Sequence, residues 1–111
     1  MRKRDVLAGA LLLNALPHTI LGLTGKRCMT PIGGADSSPA TNLAWAGINL
    51  VAGTAALAPW SLRSASQAEA EDRVRAVEVG TFAMAAFGVV YEFSRAAQRH
   101  REQRTPRRVV R

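Results

Sequence analysis

Long uncharged stretches alternate with short charged segments along this 111-residue chain. No charged residue lies between Asp5 and Lys26 or between Asp36 and Arg63, which leaves uncharged runs of 20 and 26 residues. A third run, residues 79–91, holds thirteen. A soluble surface helix carries a polar face, whereas a helix of about 20 mainly apolar residues can cross a bilayer core about 30 Å thick. The pattern predicts an all-α fold, a small transmembrane helical bundle.

The pattern predicts three helices in a single domain over residues 1–104, followed by a basic tail over residues 105–111. The helices are expected at about residues 5–23, 39–62 and 67–104, with spans at about 6–23, 43–62 and 74–93. The third helix then extends well beyond the membrane. Gly22 and Gly25 offer the first helix a left-handed exit.

Capping residues set the predicted helix starts. Asp5 is the expected N-cap of the first helix. Ser38 caps the second, with Pro39 at the favoured first helical position. Ser66 and Glu69 have the spacing of a capping box at the start of the third.

The connection between the first two helices, residues 24–38, is the longest in the chain. Pro31, Gly33 and Gly34 are expected to exclude regular structure there. Long loops are a common place for function. A plain solvated linker is an equally weighted alternative.

The third helix leaves the topology open. Glu78 and Glu92 bracket its uncharged run, which is short for a span unless both carboxylates lie near the headgroups. A span over Val74–Phe93 is favoured. The alternative is a two-span hairpin with an interfacial third helix, which would bring both basic ends to one side. The orientation of the chain is not determined by its charges.

Each predicted helix has one stripe of small or polar residues. The stripes are Ala10, Asn14, His18 and Gly22; Asn42, Asn49, Gly53 and Ala56; and Glu78, Thr81, Ala85, Gly88 and Glu92. Helices in lipid associate through small residues and interhelical hydrogen bonds. The stripes therefore predict one compact bundle with Asn14, His18 and Asn49 turned inward.

Among the predicted intramembrane residues, two could do chemistry, His18 and Glu78. The full set of candidate intramembrane polar residues is Asn14, His18, Asn49 and Glu78. His18 could relay protons or bind a cofactor, although a lone intramembrane histidine is more often a hydrogen-bonding residue. Glu78 could bind a cation or a proton, although it lies near a helix end and could reach water instead. No catalytic, metal or cofactor motif accompanies them, and Cys28 has no second cysteine to pair with.

The net charge of +7 comes largely from the carboxyl end, where Glu102 is the only acidic residue after Glu92. Arginines after an apolar helix commonly contact anionic lipid headgroups. Six are assigned that role: Arg95, Arg99, Arg101, Arg104, Arg107 and Arg108. No nucleic-acid partner is expected, because this basic tail lacks aromatic residues for base stacking.

Residues 14–53 resemble a group of small, uncharacterised, multi-span integral membrane proteins of actinobacterial type. The resemblance lies in a Pro-His pair within Asn14-Ala-Leu-Pro-His18, a Thr-Gly-Lys loop, and a Ser-Ser-Pro turn that opens the next helix. It implies a three- or four-helix membrane fold and supplies no activity. The arginine-rich tail and the weak third span depart from the group.

These observations lead to a non-enzymatic accessory or structural protein, multi-pass in the bacterial inner membrane. Its expected partners are the bilayer, including anionic lipids, and itself or another membrane protein. The alternative function is a small oligomeric transporter or a pore-forming, holin-like protein. The basic start could also belong to a signal peptide, but Asn14, Pro17 and His18 interrupt the apolar run, so a retained helix is expected.

Overall fold

The computed structural model describes residues 2–57 and 66–104 and is mostly helical. Three helices are present: α1 over Lys3–Leu23, α2 over Pro39–Leu57 and α3 over Gln67–Arg104. Strands β1 (Cys28–Thr30) and β2 (Gly34–Ser37) join α1 to α2. The predicted all-α class is therefore confirmed for the bulk of the chain. Residues 58–62 of the predicted second helix and the tail at 105–111 lie outside the described residues.

The start of α1 differs from the prediction, and its end agrees with it. Arg2 takes the N-cap position without a side-chain hydrogen bond, so the prediction of Asp5 as the N-cap is wrong. At the other end, Gly25 has φ +71° and Lys26 N–H donates to the Leu21 carbonyl at 2.9 Å. This is a Schellman exit, which a glycine at the left-handed position permits.

The two other helix starts follow their predicted caps. The Thr41 N–H donates to the Ser38 hydroxyl at 3.1 Å, and α2 begins at Pro39. The Glu69 N–H likewise donates to the Ser66 hydroxyl at 3.2 Å. The Glu69 carboxylate, however, pairs with Arg2, which ties the start of α3 to the start of α1.

The connection between α1 and α2 is a hairpin, so the prediction of an irregular loop is wrong. β1 and β2 pair antiparallel, with Cys28 opposite Ser37 and Thr30 opposite Gly34. The buried hydroxyls of Thr30 and Ser37 hydrogen-bond at 2.8 Å, and Gly33 N–H donates to Thr30 Oγ1. Gly34, at φ +83°, allows the chain to reverse without strain. The glycines thus form the turn of a hairpin rather than prevent strand pairing.

Helix α1 lies between the other two helices. It packs against both α2 and α3, whereas α2 and α3 are barely in contact within the described residues. Pairing of Asn14 with Asn49 and of His18 with Asn42 makes α1 and α2 antiparallel. Pairing of Asp5 with Arg73 and of Arg2 with Glu69 makes α1 and α3 parallel. The result is an up-down-up arrangement, 74 Å in its longest dimension.

Glycines bring the backbones of α1 and α3 into direct contact. A Cβ on Gly80 would overlap the carbonyl oxygen of Val6, and one on Gly9 would overlap that of Val77. Ala8 and Ala76 complete this interface and are fully buried. Only residues without side-chain bulk fit at such a close helix crossing.

The face of α3 that packs on α1 agrees only in part with the predicted stripe, of which Thr81 donates to the Gly9 carbonyl at 3.5 Å. Its buried residues are Arg73, Ala76 and Gly80, whereas Glu78 is exposed. Glu78 lies five residues from Arg73, about 140° around the helix. Helix α1 also differs from its predicted single stripe, because it packs against α2 on one side and against α3 on another.

Apolar side chains lie mainly on the outside of the described structure. Its buried apolar residues are four alanines, while seven polar or charged residues are buried: Asp5, His18, Thr30, Ser37, Asn42, Asn49 and Arg73. Phe82 is 75% exposed, Phe93 73% and Val51 70%. A water-soluble domain buries such side chains, because removing apolar surface from water drives its folding.

Two of the described helices, α1 and α3, are long and apolar enough to cross a membrane by length and composition. Only 22% of the apolar window in α1 and 11% of that in α3 is buried. The described part of α2 has 19 residues and does not reach the same measure. The expected second span, residues 43–62, extends past the described part of α2 and stays a prediction.

Candidate functional site

Two side-chain hydrogen bonds join the facing sides of α1 and α2: one between Asn14 and Asn49, and one between His18 and Asn42. Asn14 Nδ2 donates to Asn49 Oδ1 at 3.2 Å, and Asn49 Nδ2 donates to the Trp45 carbonyl at 2.8 Å. One helical turn further along α1, His18 Nδ1 lies 2.7 Å from Asn42 Oδ1. Three candidates, Asn14, His18 and Asn49, thus lie at one helix interface, with His18 and Asn49 buried.

The surroundings of Asn42 determine which nitrogen of His18 carries the proton. Asn42 Nδ2 lies within 3.2 Å of the carbonyl oxygens of Cys28, Ser37 and Ser38, so it is the donor end of the amide. Its Oδ1 must accept, and His18 Nδ1–H therefore donates. In the neutral ring this leaves Nε2 as an acceptor.

Asn42 is a residue whose importance the sequence understated. Its fully buried side chain joins His18 on α1 to both strands of the hairpin and to the start of α2. The helical stripe included Asn42, but nothing in a helical pattern indicates contact with the preceding loop. The hairpin is thereby fixed over the ends of α1 and α2.

A buried ion pair, absent from the sequence candidates, joins α1 to α3. Arg73 Nε and Nη2 each donate to one carboxylate oxygen of Asp5 at 3.0 Å. The side chains are 4% and 0% exposed. The hydrogen bonds that Arg73 donates to Asp5 raise the pKa of Arg73 above its ordinary value, against the opposing effect of burial. Asp5 directly precedes the uncharged run of α1, but Arg75 and Glu78 separate Arg73 from the run at 79–91, so the sequence gives no clear signal of the pair.

Glu78 lies apart from the other candidates. It lines a shallow surface depression with Gln67, Val74 and Arg75, on a side of α3 that does not face α1. The structure therefore does not bring Glu78 together with Asn14, His18 and Asn49.

The arginines of the carboxyl-terminal part of α3 differ in their surroundings. Arg95 Nη1 donates to the Ala35 carbonyl of the hairpin at 3.2 Å and to the Tyr91 hydroxyl at 3.4 Å. Its guanidinium also lies over the Tyr91 ring, 6.0 Å from the centroid. Arg99, Arg101 and Arg104 are exposed, and Arg107 and Arg108 lie outside the described residues. Arg95 thus holds the hairpin against α3.

A cleft of about 620 Å³ lies between α2 and α3, with α1 as its floor and the hairpin at one end. Asn14 and His18 are polar groups of the floor, and Trp45 contributes from α2. The α3 wall is largely apolar and includes Met84, Phe87 and Tyr91, with Glu92 near the hairpin end. Volumes of this size and mainly apolar linings with a few polar groups are typical of small-molecule sites.

Within residues 2–57 and 66–104, no group of three or more histidine, cysteine, aspartate or glutamate side chains could hold a metal ion. No family model, curated protein or solved structure matches this chain. The resemblance to small bacterial membrane proteins therefore rests on its short motifs alone.

Proposed function

We propose that this chain is a small multi-pass protein of the bacterial inner membrane with a non-enzymatic accessory or structural role. In this proposal α1, α2 and α3 form a three-span bundle, and α3 continues beyond the bilayer. Its partners are lipids, including anionic lipids, and a second copy or another membrane protein.

The observation that carries the proposal is the inverted distribution of polarity. Asp5, Arg73, His18, Asn42 and Asn49 are inside, while leucine, valine and phenylalanine side chains cover the outside. In lipid, an exposed apolar side chain has no cost and a buried polar group finds its partner within the bundle. In water the same arrangement would leave a large apolar surface exposed, which is rare in monomeric soluble proteins.

Polar contacts at two levels of α3 support a full span. Asp5 pairs with Arg73 directly before the predicted span Val74–Phe93, and Arg95, two residues after that span, holds Ala35 of the hairpin. Arg73 and Arg95 are 22 residues apart, about 33 Å along a helix axis. This matches a hydrocarbon core of about 30 Å. An interfacial α3 would bury only one side of this length in lipid.

The central place of α1 supports its retention in the mature protein. A signal peptide is cleaved and removed. Here α1 supplies the partners of Arg73, Asn49 and Asn42, and α2 and α3 are barely in contact without it. Cleavage after α1 would leave these three buried groups without their counterparts.

Membrane extraction and cysteine mapping test this proposal. The expressed protein is expected in the membrane pellet after alkaline extraction, and soluble only in detergent. After Cys28→Ser, single cysteines at Lys3 and Ala68 should react with an impermeant maleimide from one side of the membrane. Cysteines at Ala35 and Gln103 should react from the other. Reaction at Gln103 from the side of Lys3 would instead support the two-span hairpin, and a soluble monodisperse protein would overturn the proposal.

A transporter or pore subunit is a second candidate, favoured by one observation. Asn14 and His18 both line the cleft, so an oligomer could place polar groups along a path. For this function, His18→Ala should abolish proton or solute flux in liposomes while the helical content survives. If flux is unchanged in His18→Ala, or if the wild-type protein shows no flux, the transporter function is refuted and the accessory role remains. A holin-like activity would also collapse the membrane potential and lyse cells on induction, and healthy growth at high expression would argue against it.

A further inference from the structure

A buried histidine that lines the cleft, His18, has one ring nitrogen without a hydrogen-bond partner among the described residues. His18 is 8% exposed, and its Nδ1–H is used by Asn42. Nε2 then carries a lone pair that no side chain or backbone group of residues 2–57 and 66–104 satisfies. An unmet polar atom is costly in an apolar setting, so such an atom next to a cleft indicates a binding position.

The cleft is deep in the proposed span and lined by apolar and aromatic groups. His18 follows Asp5 by thirteen residues, which puts it about 20 Å along α1 from the Asp5–Arg73 pair and about 13 Å short of the level of Arg95. Trp45 and Phe87 stand on the two walls. Such walls favour a flat aromatic body over a flexible chain, since ring contacts add to the burial of apolar area.

We propose that the cleft binds a lipid-soluble phenol, a class that includes quinols. The phenolic hydroxyl donates to Nε2 of His18, and the ring and its apolar substituent lie between α2 and α3. A phospholipid acyl chain fills the same space without a donor and leaves Nε2 unmet. The assignment rests on the proposed membrane insertion, because the cleft then opens to lipid rather than to water.

Two matched probes, 4-hexylphenol and 4-hexylanisole, test the hydrogen bond because they share the hexylphenyl body, and a methyl group in the anisole replaces the hydroxyl hydrogen that the phenol donates. Binding is measured by Trp45 fluorescence in nanodiscs, with Trp60→Phe in every variant. The phenol is expected to bind the wild-type cleft about tenfold more tightly than the anisole, the effect of one hydrogen bond of ordinary strength. In His18→Leu this ratio should fall to about one, while the affinity for the anisole stays unchanged.

A second pair of variants keeps the test independent of His18→Leu folding. Ala85→Leu narrows the cleft and should weaken both probes, whereas Ala83→Leu changes an exposed position of α3 that does not line the cleft and should weaken neither. Equal binding of the two probes to the wild type would overturn the phenol site and favour an ordinary acyl chain. An equal loss of probe affinity in Ala85→Leu and Ala83→Leu would also overturn the phenol site. Fractionation of the wild-type protein separates the phenol site from the proposed membrane insertion. If the protein is in the membrane fraction but binds the phenol and the anisole equally, only the phenol site is refuted.

Discussion

Asp5 and Arg73 are 68 positions apart in the chain and form a two-pronged ion pair between parallel helices. Neither side chain is more than 4% exposed. Removing both charges from water costs about as much as their attraction returns, so such a pair contributes little net stability. Its main consequence is register: a shift of α3 along α1 would leave two buried charges without partners.

Breaking one half of this pair is expected to be far more harmful than replacing both halves. Asp5→Leu or Arg73→Met removes the ion-pair partner of the other buried side chain, and either should lower the unfolding temperature in detergent strongly. The double variant Asp5→Leu/Arg73→Met removes both charges and should recover most of the loss. Thermal unfolding followed by circular dichroism measures all three.

The pair between Arg2 and Glu69 is the matched control. It joins the same two helices, but its side chains are 52% and 41% exposed. Exposed pairs contribute about 1 kcal/mol or less, so Arg2→Gln should change stability little. If the double variant at Asp5 and Arg73 is as unstable as either single variant, the ion pair itself stabilises the fold and does not only set the register of α3 on α1.

Gly80 is expected to tolerate no side chain. Its Cβ position is occupied by the Val6 carbonyl, so Gly80→Ala must push α1 and α3 apart. Overpacking of this kind costs about 1–3 kcal/mol. Gly88→Ala on the same helix meets no atom within 4 Å and should be neutral, or stabilising by up to about 1 kcal/mol through helix propensity. Stability is measured by denaturation in mixed micelles. Equal losses of stability in Gly80→Ala and Gly88→Ala would mean that the close crossing of α1 and α3 does not lie at Gly80.

The sequence predicted what depends on local chemistry. Ser38 and Ser66 cap their helices because a hydroxyl beside free N–H groups needs no distant partner. Gly25 ends α1 for an equally local reason. The polar face of α2 was also predictable, since Asn42 and Asn49 interrupt an apolar run at helical spacing.

The parts that failed depend on which elements meet. Glu78 lay on an apparent stripe, yet Arg73 and Gly80 define the buried face because their partners are on α1. The sequence does not predict the hairpin, because Gly33 and Gly34 are typical of an irregular loop. The hairpin is held by hydrogen bonds from Asn42 to a carbonyl of each strand, and the sequence does not show these contacts. Which face of α3 is buried depends on its neighbour, and its own periodicity does not contain that information.

Asn42 is expected to control the hairpin. Asn42→Leu removes the donor that holds the carbonyls of Cys28 and Ser37, so the hairpin should open more often. Maleimide labelling of the half-buried Cys28 should then be at least about tenfold faster, since the loss of even one of these hydrogen bonds has an effect of about that size. Asn49→Leu removes hydrogen bonds to Asn14 and Trp45 without touching the hairpin, and should leave this rate unchanged. Equal acceleration in both variants would mean that labelling follows unfolding of the whole bundle.

The arginines after Arg95 are expected to contribute unequally to anionic-lipid binding. If Arg95 lies at headgroup level, Arg99 is about 6 Å further out along α3 and Arg104 about 13 Å. Screening at physiological salt acts over about 8 Å, so Arg99 remains within reach of the lipid charge and Arg104 does not. Arg99→Gln should therefore reduce enrichment of phosphatidylglycerol around the protein in nanodiscs more than Arg104→Gln. Equal reductions would mean that the end of α3 lies along the membrane surface, where each arginine contributes about 1 kcal/mol.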